Sequence, residues 1–404
     1  DCGRGSYMLL WSDSSPDEFE RLCGDITASG FKLFDRTDIE GSIHCTFAGK
    51  PVLHAWYCPC ERALRLTADP YTALYNTAPE RFERKYGNTL WQFEVDHSLI
   101  DCGMCYIVRC CDGSFFVIDS AHMYSVNDDI RIIEFLRKLN GGAKPTVAGW
   151  FFYHGHEDHV AKFSDILEFR SDEVDIETVY YNFPSYGHPD NEEWGECGKQ
   201  VMHRFERKLD EHPEIKKVRL HTGQRFFVRD LEFSVLCTHE DIYPNPLSNF
   251  NDSSTAIMMT AGGCKVLFPG DCAAESDKVF LRRYHDALKC SVVQVSHHGH
   301  SGTSSEFYRR AGAECVLFPI TEIKFAEEWD KQEPNRVAVD IAKEYHIASN
   351  GTVEIPLPYS FGGTKRLPDE TFEDFDGIFA LWCYEYTDEY KEKLRREFLK
   401  RSKG

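Results

Sequence analysis

The sequence predicts an α+β protein in which a small unit of one helix and about four strands precedes a larger sandwich of two sheets with helices on its outer faces. Three observations predict it. Short alternating runs follow a single capped helix in residues 1–88. From about Thr89 the text changes to short strands that lead into a helix, and then a second strand-rich series begins.

The first helix is announced by "SSPDEFERLCGDITASGF", with Ser15 as N-cap, Pro16 at the first helical position, Glu18 completing a capping box and Gly30 as the stop. Phe19, Leu22, Cys23 and Ile26 form its apolar stripe. The runs "FKLF", "SIHCTF", "VLHAWY" and "ALRLTA" are the strands of this unit, with "AGKP" as a turn. The larger region, residues 89–365, opens with "LWQFEV", "MCYIVRC" and "SFFVIDS", then the helix "DDIRIIEFLRKL", the Gly141-Gly142 break and the apolar strand "TVAGWFFY". Its second series comprises "VRLH", "QRFFV", "LEFSVLC", "STAIMMT", "KVLFPGD", the helix "ESDKVFLRRYHDAL" and "CSVVQVS". Residues 366–404 form an extension with a charged helix, "DEYKEKLRREFLKRS".

A chain of 404 residues with 42% hydrophobic and 14% aromatic residues can bury a sizeable core. Its formal net charge of -20 repels polyanions, which disfavours a stable nucleic-acid complex and leaves a small-molecule substrate. No run of about 18 apolar residues is present to span a membrane. The opening "DCGRGSYMLLWSD" lacks the pattern of a secretory signal, and because the chain starts at Asp1 a removed leader stays open. Sixteen cysteines, many inside apolar strands, read as buried free thiols of a cytoplasmic protein. Cys58, Cys60, Cys102 and Cys105 make a structural zinc only an outside reading, since one residue separates the first two thiols.

The stretch "FFYHGHEDHV" places His154, His156, Glu157, Asp158 and His159 at the end of an apolar strand. In extended chain, residues two apart share a side, so His154, His156 and Asp158 converge while His159 opens the next helix from another angle. Two nitrogens for one metal, and a carboxylate with a nitrogen for a neighbouring one, follow from that geometry. A solvated loop would not need three imidazoles so close together. Glu157 should point away and favour the helix N-terminus by its charge.

The spacing H-x-H-x-D-H at a strand end resembles the signature of the metallo-β-lactamase superfamily, over roughly residues 89–360. The later pieces arrive in that superfamily's order: His239 in "FSVLCTHE", Asp271 in "KVLFPGDC", and His297 or His298 in "SVVQVSHHGHSG". The resemblance implies an αββα metallo-β-lactamase-like sandwich holding two divalent ions, zinc foremost, with manganese or iron as alternatives. It implies His154, His156 and His239 on one ion, Asp158, His159 and His297 on the other, and Asp271 between them. The competing reading makes His298 the last ligand and His297 its neighbour. "NDSSTAIMM", "LFPGD" and "SHHGHSG" further resemble the branch of competence-type DNA-uptake nuclease domains and phosphorylcholine esterase. Two departures stand out: Ala161-Lys162 where that motif usually has Gly-Gly, and "VIDSA" where Asp-Gly is usual.

Such a centre performs hydrolysis with a hydroxide that bridges metals about 3.5–4 Å apart. Asp158 can orient that hydroxide and pass a proton; His298, Asn251 and Tyr153 are candidate donors to the substrate, and Asp119 has a supporting role. The substrate expected is a small or modest-sized phosphodiester. The alternatives are a lactone, thioester or β-lactam, and a binding protein with an auxiliary metal site. The N-terminal unit carries no readable motif, and its roles as active-site rim or homo-oligomer interface both stay open.

Overall fold

The computed structural model describes residues 2–97, 100–125, 127–186 and 195–367. The charged helix expected in the C-terminal extension lies outside the described residues.

The first helix runs from Pro16 to Ala28, and its capping box forms as read: the Ser15 side chain accepts from the Glu18 amide and the Glu18 carboxylate accepts from the Ser15 amide. Phe19 and Ile26 bury its apolar face against Cys45, Phe47, Ala55, Tyr57 and Leu64. The sheet beneath has five antiparallel strands, in the order 7–11, 63–69, 52–58, 42–48, 32–39. The strand Tyr7–Trp11 escaped the sequence reading because it is an edge whose outward residues, Tyr7, Leu9 and Trp11, are themselves apolar. An edge strand carrying apolar residues on its exposed side shows no alternation to detect.

Two larger sheets follow. One has nine strands, ordered 216–219, 178–181, 146–151, 115–118, 106–109, 89–92, 353–356 and 365–366, with Asp175–Ile176 pairing Thr146–Val147. The other has seven, ordered 225–228, 231–237, 256–261, 264–268, 292–294, 315–318 and 344–347. They pack face to face: Phe116, Phe151 and Tyr180 of the first meet Phe226, Phe233, Phe268 and Val266 of the second in one apolar core. The helices Asp128–Leu139, Glu157–Phe169 and Gly195–Asp210 cover the outer face of the first sheet. Ala274–Arg283, Ser305–Ala311 and Glu333–Ile341 cover the second. This is the expected αββα sandwich.

One strand changes sheets relative to expectation. "VRLH" was placed in the second series, but Lys216–Arg219 pairs parallel to Thr178–Tyr181 in the first sheet. Parallel neighbours need a crossover, and the helix Gly195–Asp210 supplies it. The chain passes to the second sheet only at Arg225.

Candidate metal centre

Strand direction assembles the site. Phe115–Ile118 and Thr146–Phe151 are parallel neighbours in one sheet, and Cys264–Phe268 and Val292–Gln294 are parallel neighbours in the other. Leu231–Cys237 runs the same way as Cys264–Phe268, since each is antiparallel to Ala256–Ala261 between them. Asp119, the "HGHEDH" cluster, His239, Asp271 and the His297-His298 pair therefore all leave their strands at carboxyl ends.

The strand ends at Phe151, and the helix starts at Glu157 with His156 as its N-cap. Asp158 thus reaches the site from the first helical turn rather than by strand alternation, which corrects the route expected for it. Asp158, His159, Asp271 and His298 are all buried, and each offers one ligand-type atom within 4.8 Å of the others. His159 Nε2 lies 3.4 Å from Asp158 Oδ1 and 3.3 Å from Asp271 Oδ2. His298 Nε2 lies 2.8 Å from Asp158 Oδ2 and 3.4 Å from Asp271 Oδ2. Spacings of 3.3 to 3.4 Å suit ligand atoms that share a cation at about 2.0–2.2 Å each.

Both imidazoles are anchored on their far side. His159 Nδ1 is 2.6 Å from Asp119 Oδ2, and His298 Nδ1 is 2.8 Å from the Pro319 carbonyl. A carboxylate or carbonyl at Nδ1 fixes the tautomer that leaves Nε2 to face the group. Asp119 holds φ +57° and also accepts from the Tyr153 amide at 3.3 Å. Burial would push His298 down, but Asp271 and Asp158 outweigh it and raise its pKa to about 10. The same field raises His159, while both imidazoles hold Asp271 well below the usual carboxylate range against its burial. The field of Asp158 and Asp271 that holds these protons would equally favour a divalent cation in their place.

His154 and His156 stand next to this group. Their ring centroids are 4.5 Å apart, and His154 is 4.2 Å from His159. Ser254 Oγ ties His154 Nδ1 (3.3 Å) to the Asp271 amide (3.1 Å). His154 Nε2 and Asp271 Oδ1 are buried with no hydrogen-bond partner. Two orphaned atoms of metal-binding type, beside a complete four-residue cluster, fit a second cation. His239 opens the short turn His239–Asp241, which packs beside the turn Phe250–Ser253, whose Phe250 ring lies 4.9 Å from His156.

Two expected placements differ. His298, not His297, joins the cluster; His297 Nε2 instead lies 3.3 Å from Asn251 Nδ2, and both residues are half-buried. Both histidines hold left-handed φ near +50°, so the alternation of the preceding strand does not extend to them and nearness to the strand end does not decide which imidazole faces the group. Tyr153, expected as a donor, is buried in the inter-sheet core with its ring against Gly270. There a Cβ would come within 2.6 Å of that ring and φ is +62°, so only glycine fits before Asp271. Asn251 stays at the edge of the site. Glu157 occupies the first turn as expected, 3.9 Å from His122 Nε2. His122 itself escaped the sequence reading; it is buried, with its strongest charge influence from Asp158, and its only signal was its place three residues after Asp119. Lys162, the departure in the signature, is accommodated by Asp165 at 3.1 Å, which also pairs with Arg204 at 2.8 Å.

No family model and no curated protein matches this chain. Among solved structures it is similar to the metallo-β-lactamase fold protein YhfI from Bacillus subtilis, at 13% identity over 65% of this chain and 97% of that one, TM-score 0.42. It is also similar to a diphosphatase of the PhnP family (14%, 57% and 86%, TM-score 0.35) and to zinc-bound PqqB from Methylobacterium extorquens (10%, 60% and 76%, TM-score 0.32).

Among the described residues, three further groups of metal-binding side chains lie outside the centre. Cys58 and Cys60 sit 3.3 Å apart in the turn before Ala63–Asp69, while Cys105 packs under the helices of the first sheet, so among the described residues the two pairs form no joint zinc site. Cys315, Glu344 and His346 form a partly exposed group at the far edge strand of the second sheet. His54, Asp69 and His221 form a buried group, but His221 Nε2 and Asp69 Oδ2 are only 2.5 Å apart. That is a direct hydrogen bond, and His221 Nδ1 is engaged as well, by Glu240 Oε1 at 2.9 Å, so this imidazole has no nitrogen left for a metal. The fourteen described cysteines are all free thiols. No helix among the described residues is long and apolar enough to cross a membrane.

Proposed function

We propose that this chain is a dinuclear metal-dependent hydrolase acting on a phosphodiester of small or modest size in the cytoplasm. His154, His156 and His239 would hold one divalent ion, Asp158, His159 and His298 the other, with Asp271 shared. The observation that carries the reading is the convergence of Asp158, His159, Asp271 and His298 from three separate chain segments into one buried cluster whose imidazoles are anchored from behind.

Two divalent ions held by these residues, zinc foremost, would supply an activated water and offset charge on the group attacked. The remaining work falls to the chain. Asp119 and Pro319 keep Nε2 of His159 and His298 turned inward, so no reorientation is needed during turnover. Asp158 is ionised, because His159 and His298 outweigh its burial, and so is available to a cation and can orient a water beside the reacting group. His297 and Asn251, half-buried at the rim, offer donors to the ester's remaining oxygens. The net charge of -20 favours a short substrate over a long polyanion.

The test is metal content of the purified chain beside turnover of bis(p-nitrophenyl) phosphate, with a lactone and a β-lactam as comparison substrates. About two metals per chain with phosphodiester turnover support the proposal. Two metals with turnover of only the lactone or β-lactam move the substrate to a carboxylic derivative, and absence of metal overturns the reading.

A further inference from the structure

A dense store of buried charge outside the metal centre lies where the five-stranded sheet of residues 7–69 meets the sandwich. Two relays cross that seam. In the first, Asp69 Oδ2 lies 2.5 Å from His221 Nε2, and His221 Nδ1 lies 2.9 Å from Glu240 Oε1. In the second, Arg65 Nη2 and Arg283 Nη1 each donate to Asp241 Oδ1 at 2.6 Å, and both guanidinium groups lie over the Trp56 ring. Asp69, Arg65 and Trp56 belong to the N-terminal sheet.

Both relays end on the two residues that follow His239. Glu240 and Asp241 complete the turn His239–Asp241, and Asp241 Oδ2 also accepts from the Thr238 amide at 2.9 Å. A turn of three residues has little hydrogen bonding of its own. The side chains of Glu240 and Asp241 are 3% and 0% exposed, so this turn carries two carboxylates into the interior. Buried carboxylates stay buried only while they are paired. Removing the partners would drive the turn toward water and take His239 with it.

We propose that the N-terminal sheet is a positioning device for the metal centre: Arg65, through Asp241, and Asp69, through His221 and Glu240, set the place of His239. Neither residue touches the metal group, so both are positioning residues. The inference rests on the reading of His239 as a metal ligand.

The experiment uses the full chain and its Arg65→Met, Asp69→Asn and His239→Ala variants. Zinc is counted after dialysis, its affinity is measured by competition with a chromogenic chelator, and folding is followed by circular dichroism. Arg65→Met keeps the stem packed on Trp56 while removing the charge, and Arg65→Lys is the conservative control. We expect Arg65→Met and Asp69→Asn to weaken one of the two zinc ions by about 10-fold or more while leaving the other in place. Arg65→Lys should recover part of that loss, excess zinc should restore turnover, and Arg65→Met should add nothing in the His239→Ala background. A merely structural role would lower the melting temperature without these effects. Wild-type affinity for both zinc ions in folded Arg65→Met and Asp69→Asn overturns the inference while leaving the metal reading intact. A wild-type chain that binds no zinc overturns both.

Discussion

Asp119 serves two partners from one carboxylate: Oδ2 meets His159 Nδ1 at 2.6 Å, and Oδ1 accepts from the Tyr153 amide at 3.3 Å. Its burial pushes its pKa up to about 7, although His159 beside it pulls the other way. Asp119→Asn keeps the shape and removes the charge that fixes the imidazole. It should lower metal affinity by about 10-fold to 100-fold with little change in fold, measured by chelator competition. The two adjacent histidines give a sharper test. His298→Ala should remove one metal and abolish turnover, whereas His297→Ala should keep both metals and lower turnover through the lost donor at the rim. The reverse result would return His297 to the ligand set. His156→Ala should likewise abolish hydrolysis and lower bound metal. The convergence was legible here because three imidazoles and a carboxylate at one strand end have few other uses. The choice between His297 and His298 was not, because it depends on two consecutive left-handed residues that no periodicity reveals.

At the scale of elements, legibility depended on whether the stabilising partner was local. Ser15 and Glu18 cap the first helix from within four residues, and the sequence displays the pair openly. The helix Ala274–Arg283 has Ala273 at its N-cap with no side-chain bond from that residue. Its cap comes instead from Asp252, whose Oδ1 accepts from the amides of Ala273 and Ser276 at 2.9 Å each, 21 and 24 positions away. In the sequence Asp252 reads as part of a turn in "NFNDSS". Because the carboxylate is 2% exposed and its donors are buried, Asp252→Ala should cost about 1–3 kcal/mol, read as a lower urea midpoint with an unchanged slope. The same helix carries Arg283 at its last position, so its unseating should also loosen the contact with Asp241.

At the scale of the molecule, the seam between the N-terminal sheet and the sandwich was invisible in the sequence, since Asp69, His221 and Glu240 are scattered over 172 positions and match no motif. It has a consequence for stability. Burial would lower the pKa of His221, but Glu240 and Asp69 outweigh it and raise it to about 9 from 6.5. Arg219 lies 3.9 Å from Asp69, and His54, stacked on His221 at 4.0 Å, is depressed to about 3, chiefly by burial, and stays neutral. A group that binds its proton more tightly when folded stabilises the fold fully below its unfolded pKa. The His221 contribution is therefore complete below pH 6.5, declines between 6.5 and 9, and is gone above about 9. His54 acts in the opposite sense and lower down, losing its contribution as pH falls from 6.5 toward 3. Free thiols and other groups also titrate in the upper window, so the variant His221→Asn is the reference that isolates the relay. Urea midpoints at pH 6.5 and pH 9 should fall for the wild type and change much less for His221→Asn, whose stability at pH 6.5 should already be lower by about 3 kcal/mol or more. Equal slopes in the two proteins would mean that the imidazole between Asp69 and Glu240 is neutral, and that the seam is held by its arginines alone.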